Sequence, residues 1–171
     1  MHMKILVLAS WFRPGAGGAY VHLSEIYRRL PGEIVVVADE QPGDRERDRQ
    51  LPWRVIRVPV GVAHSGVRLN TAMALWRGFS AIDAIAVRER PDIVHAGHYI
   101  PWGLYASRLR QKYGMPYALF TWGEDVLAAE HDFLCHQIMS YTARRADLLF
   151  TNSEFTTDRL RKFVEPDASI N

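Results

Sequence analysis

"RPDIVHAGHYIPWGLYASRLRQKYGMPYALFTWGED", residues 90–125, reads as strand, helix, strand. "PDIVHAG" (91–97) is an apolar run that starts after Pro91. "WGLYASRLRQKYG" (102–114) has helical spacing and closes on Gly114, a residue suited to the left-handed conformation past a helix end. "MPYALFTW" (115–122) is again apolar and β-prone. Strand, helix, strand in succession reads as a parallel pair with a helical crossover, and parallel strands need cover on both faces.

The same alternation extends both ways. Upstream, "KILVLAS" (4–10) predicts a buried strand, and Leu23, Ile26, Tyr27 and Leu30 recur at helical spacing until Pro31-Gly32. "EIVVVA" (33–38) predicts a second strand, and "DEQPGDRERDRQLP" (39–52) a solvated loop. "WRVIRVPV" (53–60) alternates like a strand with one wetter face, near an edge. A helix is expected over residues 70–90 with Leu75, Phe79, Ile82 and Ala86 on one face. Its Trp76, Phe79 and Ile82 read as a core stripe, with membrane contact as the lesser option.

Downstream, a helix is expected over residues 131–146 with Leu134, Ile138 and Tyr141 in register. "DLLFTN" (147–152) predicts a strand, "SEFTTDRLRKFV" (153–164) a helix capped by Ser153, and "EPDASIN" the start of another strand. The fold class is therefore α/β, a Rossmann-like three-layer domain with a mostly parallel sheet. One domain over residues 3–171 is expected, with "MH" set aside as a cloning remnant. In such sheets ligands sit at the carboxyl ends of the strands. Those ends are "WFRPGAGG", "HAGHY", "TWGED" and "TNSEF". Little polarity is expected at the opposite, amino-terminal ends.

Bulk properties narrow the function. The 171 residues carry 21 basic and 19 acidic side chains, a net +2, which gives no electrostatic case for nucleic acid. Cys135 is the single cysteine, so no internal disulfide forms, and a reducing compartment fits. No apolar run reaches the roughly 18 residues of a membrane span, and "KILVLAS" is too short for a signal peptide. The expected location is cytoplasmic, with peripheral attachment at the inner membrane face as an option. Arg13, Arg54, Arg57 and Arg68 read as ordinary surface arginines, with an anionic acceptor or head group as the alternative.

The glycine loop "WFRPGAGGAY" (11–20) decides between ligand classes. A dinucleotide fingerprint needs Gly-x-Gly-x-x-Gly directly after the strand. Here Gly15, Gly17 and Gly18 are spaced otherwise, and Tyr20 occupies the third glycine's place. Asp39, after the second strand, keeps a ribose-binding reading open. A Walker loop is excluded because no Gly-Lys-Ser/Thr follows. Gly17-Gly18 at a helix start would let an anion approach backbone N–H groups. A plain tight turn is the other reading.

"GGAYVHLSEIYRRL" (17–30), the 90–125 stretch and "ARRADLLFTNSEFTTDRLRKF" (143–163), in that order, resemble the N-terminal domain of family 4 glycosyltransferases, retaining enzymes of GT-B fold. The resemblance implies a second, donor-binding domain absent from this chain, an acceptor-binding role for this one, and no transfer by it alone. It implies a nucleotide-sugar donor, a sugar or lipid-linked acceptor, and no metal or other cofactor. Gly17 and Gly18 would meet the donor phosphates. His98, Trp122, Gly123, Glu124, Asp125, Ser153 and Glu154 would line the acceptor or sugar site. His95 and His98 do not form a metal pair, because three residues along a strand point to opposite faces. The family often has His-Gly where this sequence has Trp122-Gly123. Tryptophan cannot act as a base, so the implied role of Trp122 is packing on a sugar, against a plain core role. Asp125 could equally cap the helix that follows, and Ser153 is first of all a helix cap. The competing readings are a nucleotide-binding Rossmann-like module and a non-catalytic interaction domain.

Overall fold

The computed structural model describes residues 3–10, 17–40, 43–60, 69–165 and 168–171. The start of the glycine loop, with Arg13 and Gly15, and Arg68 lie outside the described residues. The chain divides into two compact units, Met1–Asp92 and Ile93–Asn171. Each is a three-stranded parallel sheet with helices between its strands.

In the first unit, β1 (Lys4–Leu8), β2 (Glu33–Asp39) and β3 (Arg54–Val58) lie in the order β3-β2-β1. Lys4 is in register with Glu33, and Val35 with Arg54. β1 and β2 are apolar on both faces and almost wholly buried, as a doubly covered parallel strand requires. β3 ends the order and keeps Arg54 exposed. Helix α1 (Gly18–Arg29) buries Leu23 and Tyr27. Gly32 then turns the chain at φ 141°, where a Cβ would meet the Met3 carbonyl oxygen at 2.3 Å.

Three sequence expectations change in this unit. The charge-dense loop contains a short helix, α2 (Asp44–Asp48). Arg57 anchors it, donating to Asp48 Oδ2 at 3.0 Å and to the Asp39 carbonyl at 2.9 Å. Helix α3 (Leu69–Glu89) buries Ile82 and Ala86, but Trp76 is 76% exposed rather than core. Six residues separate Trp76 from Ile82, which turns its side chain by about 240° around the axis.

The third change concerns the amino ends of the strands, which carry an ionic network. Lys4 Nζ bridges Glu33 and Glu89 at 3.0 Å each, and Arg54 and Arg88 also pair with Glu89. Burial works to raise the Glu89 pKa. Hydrogen bonds from Arg54, Lys4 and Arg88 outweigh it and hold the carboxyl at about 2.

In the second unit, β4 (Ile93–Ala96), β5 (Tyr117–Thr121) and β6 (Leu148–Thr151) pair in parallel in that order. The expected closing strand is present as a single bridge, Ile170 to Leu149. A kinked turn over Tyr99–Gly103 leads into helix α4 (Leu104–Tyr113), which Gly114 ends at φ 70° as its position predicts. The helix expected over residues 131–146 is present as α6 (Phe133–Ala143), and a further helix, α5 (Gly123–His131), precedes it. α5 is short and buries little apolar surface beyond Val126 and Ala129, so it leaves a weak periodic trace. Asp132 breaks the run with extended backbone, and its carboxylate accepts from Cys135 N–H at 2.8 Å to cap α6.

α6 does not bury Leu134, Ile138 and Tyr141. Its inward residues are Met139, Thr142 and Ala143. The Tyr117 hydroxyl donates to the Thr142 carbonyl at 2.5 Å, and a Cβ on Gly103 would meet Thr142 at 3.3 Å. Glycine at residue 103 leaves room for that close approach to Thr142. Helix α7 (Glu154–Leu160) and a 3-10 turn (Arg161–Phe163) complete the unit. Among the described residues, no helix is long and apolar enough to cross a membrane.

Candidate functional site

His98, Trp122 and Ser153 each follow a strand of the second unit, after β4, β5 and β6 respectively. Parallel strands end together, so this topology gathers the three loops. Their side chains do three different jobs.

His98 sits on extended backbone, and its Nδ1 accepts from Ile100 N–H at 3.1 Å. Its Nε2 lies 2.7 Å from Asp125 Oδ1. With Nδ1 an acceptor, the neutral ring carries its proton on Nε2 and donates it to Asp125. The ring stacks on Tyr99 at 4.9 Å. Burial opposes the imidazolium, the Asp125 charge and hydrogen bond outweigh it, and the pKa is raised. Both ring nitrogens are thus engaged within the protein.

Asp125 is 2% exposed. It is the third residue of α5, and its Oδ2 accepts from Trp122 N–H at 3.1 Å. The Trp122 carbonyl accepts from Asp125 N–H at 3.1 Å in return. Asp125 therefore caps α5 and holds His98 at once, with its negative charge at the positive end of the helix dipole. The Trp122 indole N–H donates to the Gly97 carbonyl at 2.8 Å, tying the end of β5 to the end of β4. The ring is half-buried.

Gly123 opens α5, where a Cβ would lie 3.7 Å from Thr156 Oγ1. Glu124 is exposed. Ser153 caps α7, its Oγ accepting from Thr156 N–H at 3.3 Å. Thr156, fully buried, donates its hydroxyl to Asn152 Oδ1 at 2.8 Å. Glu154, the first residue of α7, is exposed. The sequence reading passed over Gly97, Ile100 and Thr156. The first two act through backbone atoms, which leave no residue-type signal. Thr156 does leave one, because it stands three residues past the cap.

In the first unit, Gly17 precedes α1 at φ 96°, and no acidic residue occupies that helix's first turn. The positive φ explains glycine at residue 17. Gly18 has open space where a Cβ would be. His95 packs its ring against Phe120 at 5.5 Å, and burial lowers its pKa to about 4. No group of three or more His, Cys, Asp or Glu among the described residues could hold a metal ion.

The glycosyl transferase 4-like domain matches residues 15–170. The chain belongs to that family. Among solved structures, sucrose-phosphate synthase from Thermosynechococcus elongatus superposes on this glycosyl transferase 4-like domain with a TM-score of 0.73 at 15% identity, over 99% of this chain and 47% of that one. Anabaena HepE, solved in complex with UDP and glucose, gives 0.67 at 17%, over 95% and 41%. The UDP-GlcNAc 2-epimerase of Methanocaldococcus jannaschii gives 0.61 at 13%, over 100% and 45%. At such identities the likeness is one of fold, the Rossmann-like half of a GT-B architecture. This chain spans less than half the length of each of the three. No curated protein sequence matches it.

Proposed function

We propose that this domain is the acceptor-binding half of a glycosyltransferase that moves a sugar from a nucleotide-sugar donor to an acceptor hydroxyl with retention. The observation that carries the reading is the family match over residues 15–170. The polar loops after β4, β5 and β6 support it, because they lie where ligands bind in parallel sheets. HepE, of like fold, has been solved with UDP-glucose. The 2-epimerase has that fold too, so the fold does not set the reaction.

In this reading the exposed carboxylates of Glu124 and Glu154 accept hydrogen bonds from acceptor hydroxyls. The open part of the Trp122 ring packs against a sugar face. Ser153 and Gly123 shape the floor beneath them. His98 and Asp125 work as a pair that fixes the start of α5. The acceptor oxygen attacks the anomeric carbon from the face the diphosphate leaves. The new C–O bond forms as the old one to phosphate breaks, and the departing phosphate oxygen takes the acceptor's proton. That path needs no strong protein base, which suits a His98 with both nitrogens engaged. Backbone N–H groups at Gly17 and Gly18, with the positive end of α1, would stabilise the leaving diphosphate. The nucleotide pocket belongs to a second domain, so this domain alone turns over no donor. No metal or cofactor has a role in the scheme.

The test is a panel of nucleotide sugars offered to the full-length protein with mono- and oligosaccharide and lipid-linked acceptors. Nucleoside diphosphate release and the anomeric configuration of the product are read. Transfer with retention is expected, and an inverted product would overturn the mechanism. No transfer with any donor, together with binding of NAD or FMN, would favour the nucleotide-binding module. No transfer and no nucleotide binding would favour an interaction domain, whose best sequence support is Trp122 in the family's histidine position.

A further inference from the structure

His98 stands in a closed ring of hydrogen bonds that ties two loops of the second unit together. The Gly97 carbonyl accepts from the Trp122 indole N–H at 2.8 Å. The Trp122 backbone N–H donates to Asp125 Oδ2 at 3.1 Å, and Asp125 Oδ1 lies 2.7 Å from His98 Nε2. The Gly97–His98 peptide closes the ring. His98 also closes the turn that follows it. Its Nδ1 accepts from Ile100 N–H at 3.1 Å, and its carbonyl accepts from Gly103 N–H at 2.9 Å. One residue therefore shapes the loop after β4 and holds it to the loop after β5.

The partners of the imidazole make opposite demands on its charge. Nδ1 accepts only through a lone pair, so the Ile100 N–H requires the neutral ring. The charges that face the imidazole come from α5, the buried Asp125 carboxylate first and Glu124 beside it. Both favour the imidazolium. On its other side the ring stacks on Tyr99, which interacts in turn with Cys135 and with Asp132, the cap of α6. A proton on Nδ1 would set one N–H against another, with no acceptor between them. Asp125 takes the Nε2 proton in either state, so the Ile100 bond is the one that is lost. The side chain is only half-buried, and water can deliver that proton.

We propose that His98 is a positioning residue that acts as a proton-operated latch. With the ring neutral, the loops after β4 and β5 are fixed for acceptor binding. A proton on Nδ1 frees Ile100 and loosens them. The proposal rests on the reading of these loops as the acceptor face, and adds to it regulation by pH. His98 exchanges its proton with water and passes none to the acceptor. Burial works against the imidazolium, and the Asp125 charge and hydrogen bond outweigh it, so the pKa lies above the ordinary value of about 6.5. The latch therefore opens as the pH falls toward about 6.5. The exposed carboxylates Glu124 and Glu154 ordinarily titrate near 4.3, well below that window.

The experiment measures KM for acceptor and kcat in the full-length protein from about pH 8.5 to about 5.5, at saturating donor. KM should rise about fivefold as the pH falls, the worth of one net hydrogen bond, with kcat changing less. His98→Gln can still donate to Asp125, and His98→Asn can still accept from Ile100, but neither titrates. Both should show a KM without the pH step. In parallel, the Ile100 amide is followed by 15N NMR in isoleucine-labelled full-length protein, its signal assigned by its loss in Ile100→Val. In the wild type it should move in step with KM. A flat wild-type KM, a step that persists in either variant, or an Ile100 signal that stays still through the titration overturns the proposal. If the wild type transfers nothing with any donor, the transfer reading fails by itself. The Ile100 signal then decides the latch alone, supporting it by titrating above about pH 6.5 and overturning it by staying still.

Discussion

Glu89 and Asp125 are both buried carboxylates at a sheet end, and they serve opposite purposes. Glu89 belongs to the amino ends of the strands in the first unit, where Lys4, Arg54 and Arg88 converge on it. Asp125 belongs to the carboxyl ends in the second unit, where it meets an imidazole and a backbone N–H. The first arrangement consumes its charges within the chain. The second spends one carboxylate on positioning, and Glu124 and Glu154 beside it stay exposed. A polar residue at a sheet end is therefore not by itself a sign of a binding site. What distinguishes the two ends is whether polar side chains are left over once the local pairing is complete.

Substitutions can break this contrast, and the largest effect belongs to the first unit. Gly32→Ala should cost about 3 kcal/mol or more in urea unfolding, because its φ is positive and its Cβ would strike the Met3 carbonyl. Wild-type stability would mean that the β1–β2 edge is not built as described. Glu89→Gln comes next, at about 2 kcal/mol, discounted because Arg54 and Arg88 reach solvent. Its folded pKa lies below the unfolded value of about 4.3. Its stabilisation is therefore complete above about pH 4.3 and fades as the pH falls toward 2. The variant should flatten that acid limb in a stability–pH profile.

Asp125→Ala should cost about 1.5 kcal/mol, from one cap and one hydrogen bond to His98. The pH sense is reversed here. The raised His98 pKa contributes stability that is full below the unfolded value of about 6.5 and lost as the pH rises through the folded value. The difference between wild type and Asp125→Ala should shrink across that window, and a difference that grew with pH would contradict the pairing. The smallest stability effect, within about 0.5 kcal/mol, is expected for the exposed Glu124→Ala. For the proposed transfer by the full-length protein, that variant should raise the KM for acceptor, and an unchanged KM would leave Glu124 without a role in acceptor binding.

Two helix boundaries of the second unit were readable before its structure. Ser153 as a cap and Gly114 as a helix end follow from residue type and position, and the structure has both. Trp122 was readable as a departure in the family pattern, but not as the donor to Gly97, whose carbonyl carries no side-chain signal. For Asp125 the sequence left capping and ligand binding level. The structure adds a capping bond that binds His98 as well, because only the fold brings the ends of β4 and β5 side by side. α5 escaped notice since nine residues with few buried apolar positions leave too little periodicity to detect. The ionic network at the amino ends escaped because its members are separated by up to 85 residues, Lys4 from Glu89.

The sequence by itself determined the alternation of strands and helices, hence the parallel α/β class, because apolar runs and helical spacing are local patterns. It also determined where turns must fall, since glycine and proline constrain the backbone residue by residue. Tertiary structure alone decided which side of each helix is inside. Leu134, Ile138 and Tyr141 have the spacing of a core stripe, yet α6 packs through Thr142 and Ala143, where the turn at Gly103 comes close. Periodicity tells that a helix has an apolar face. Only the shape of the surface it meets, and the room left there for side chains, tells which face is buried.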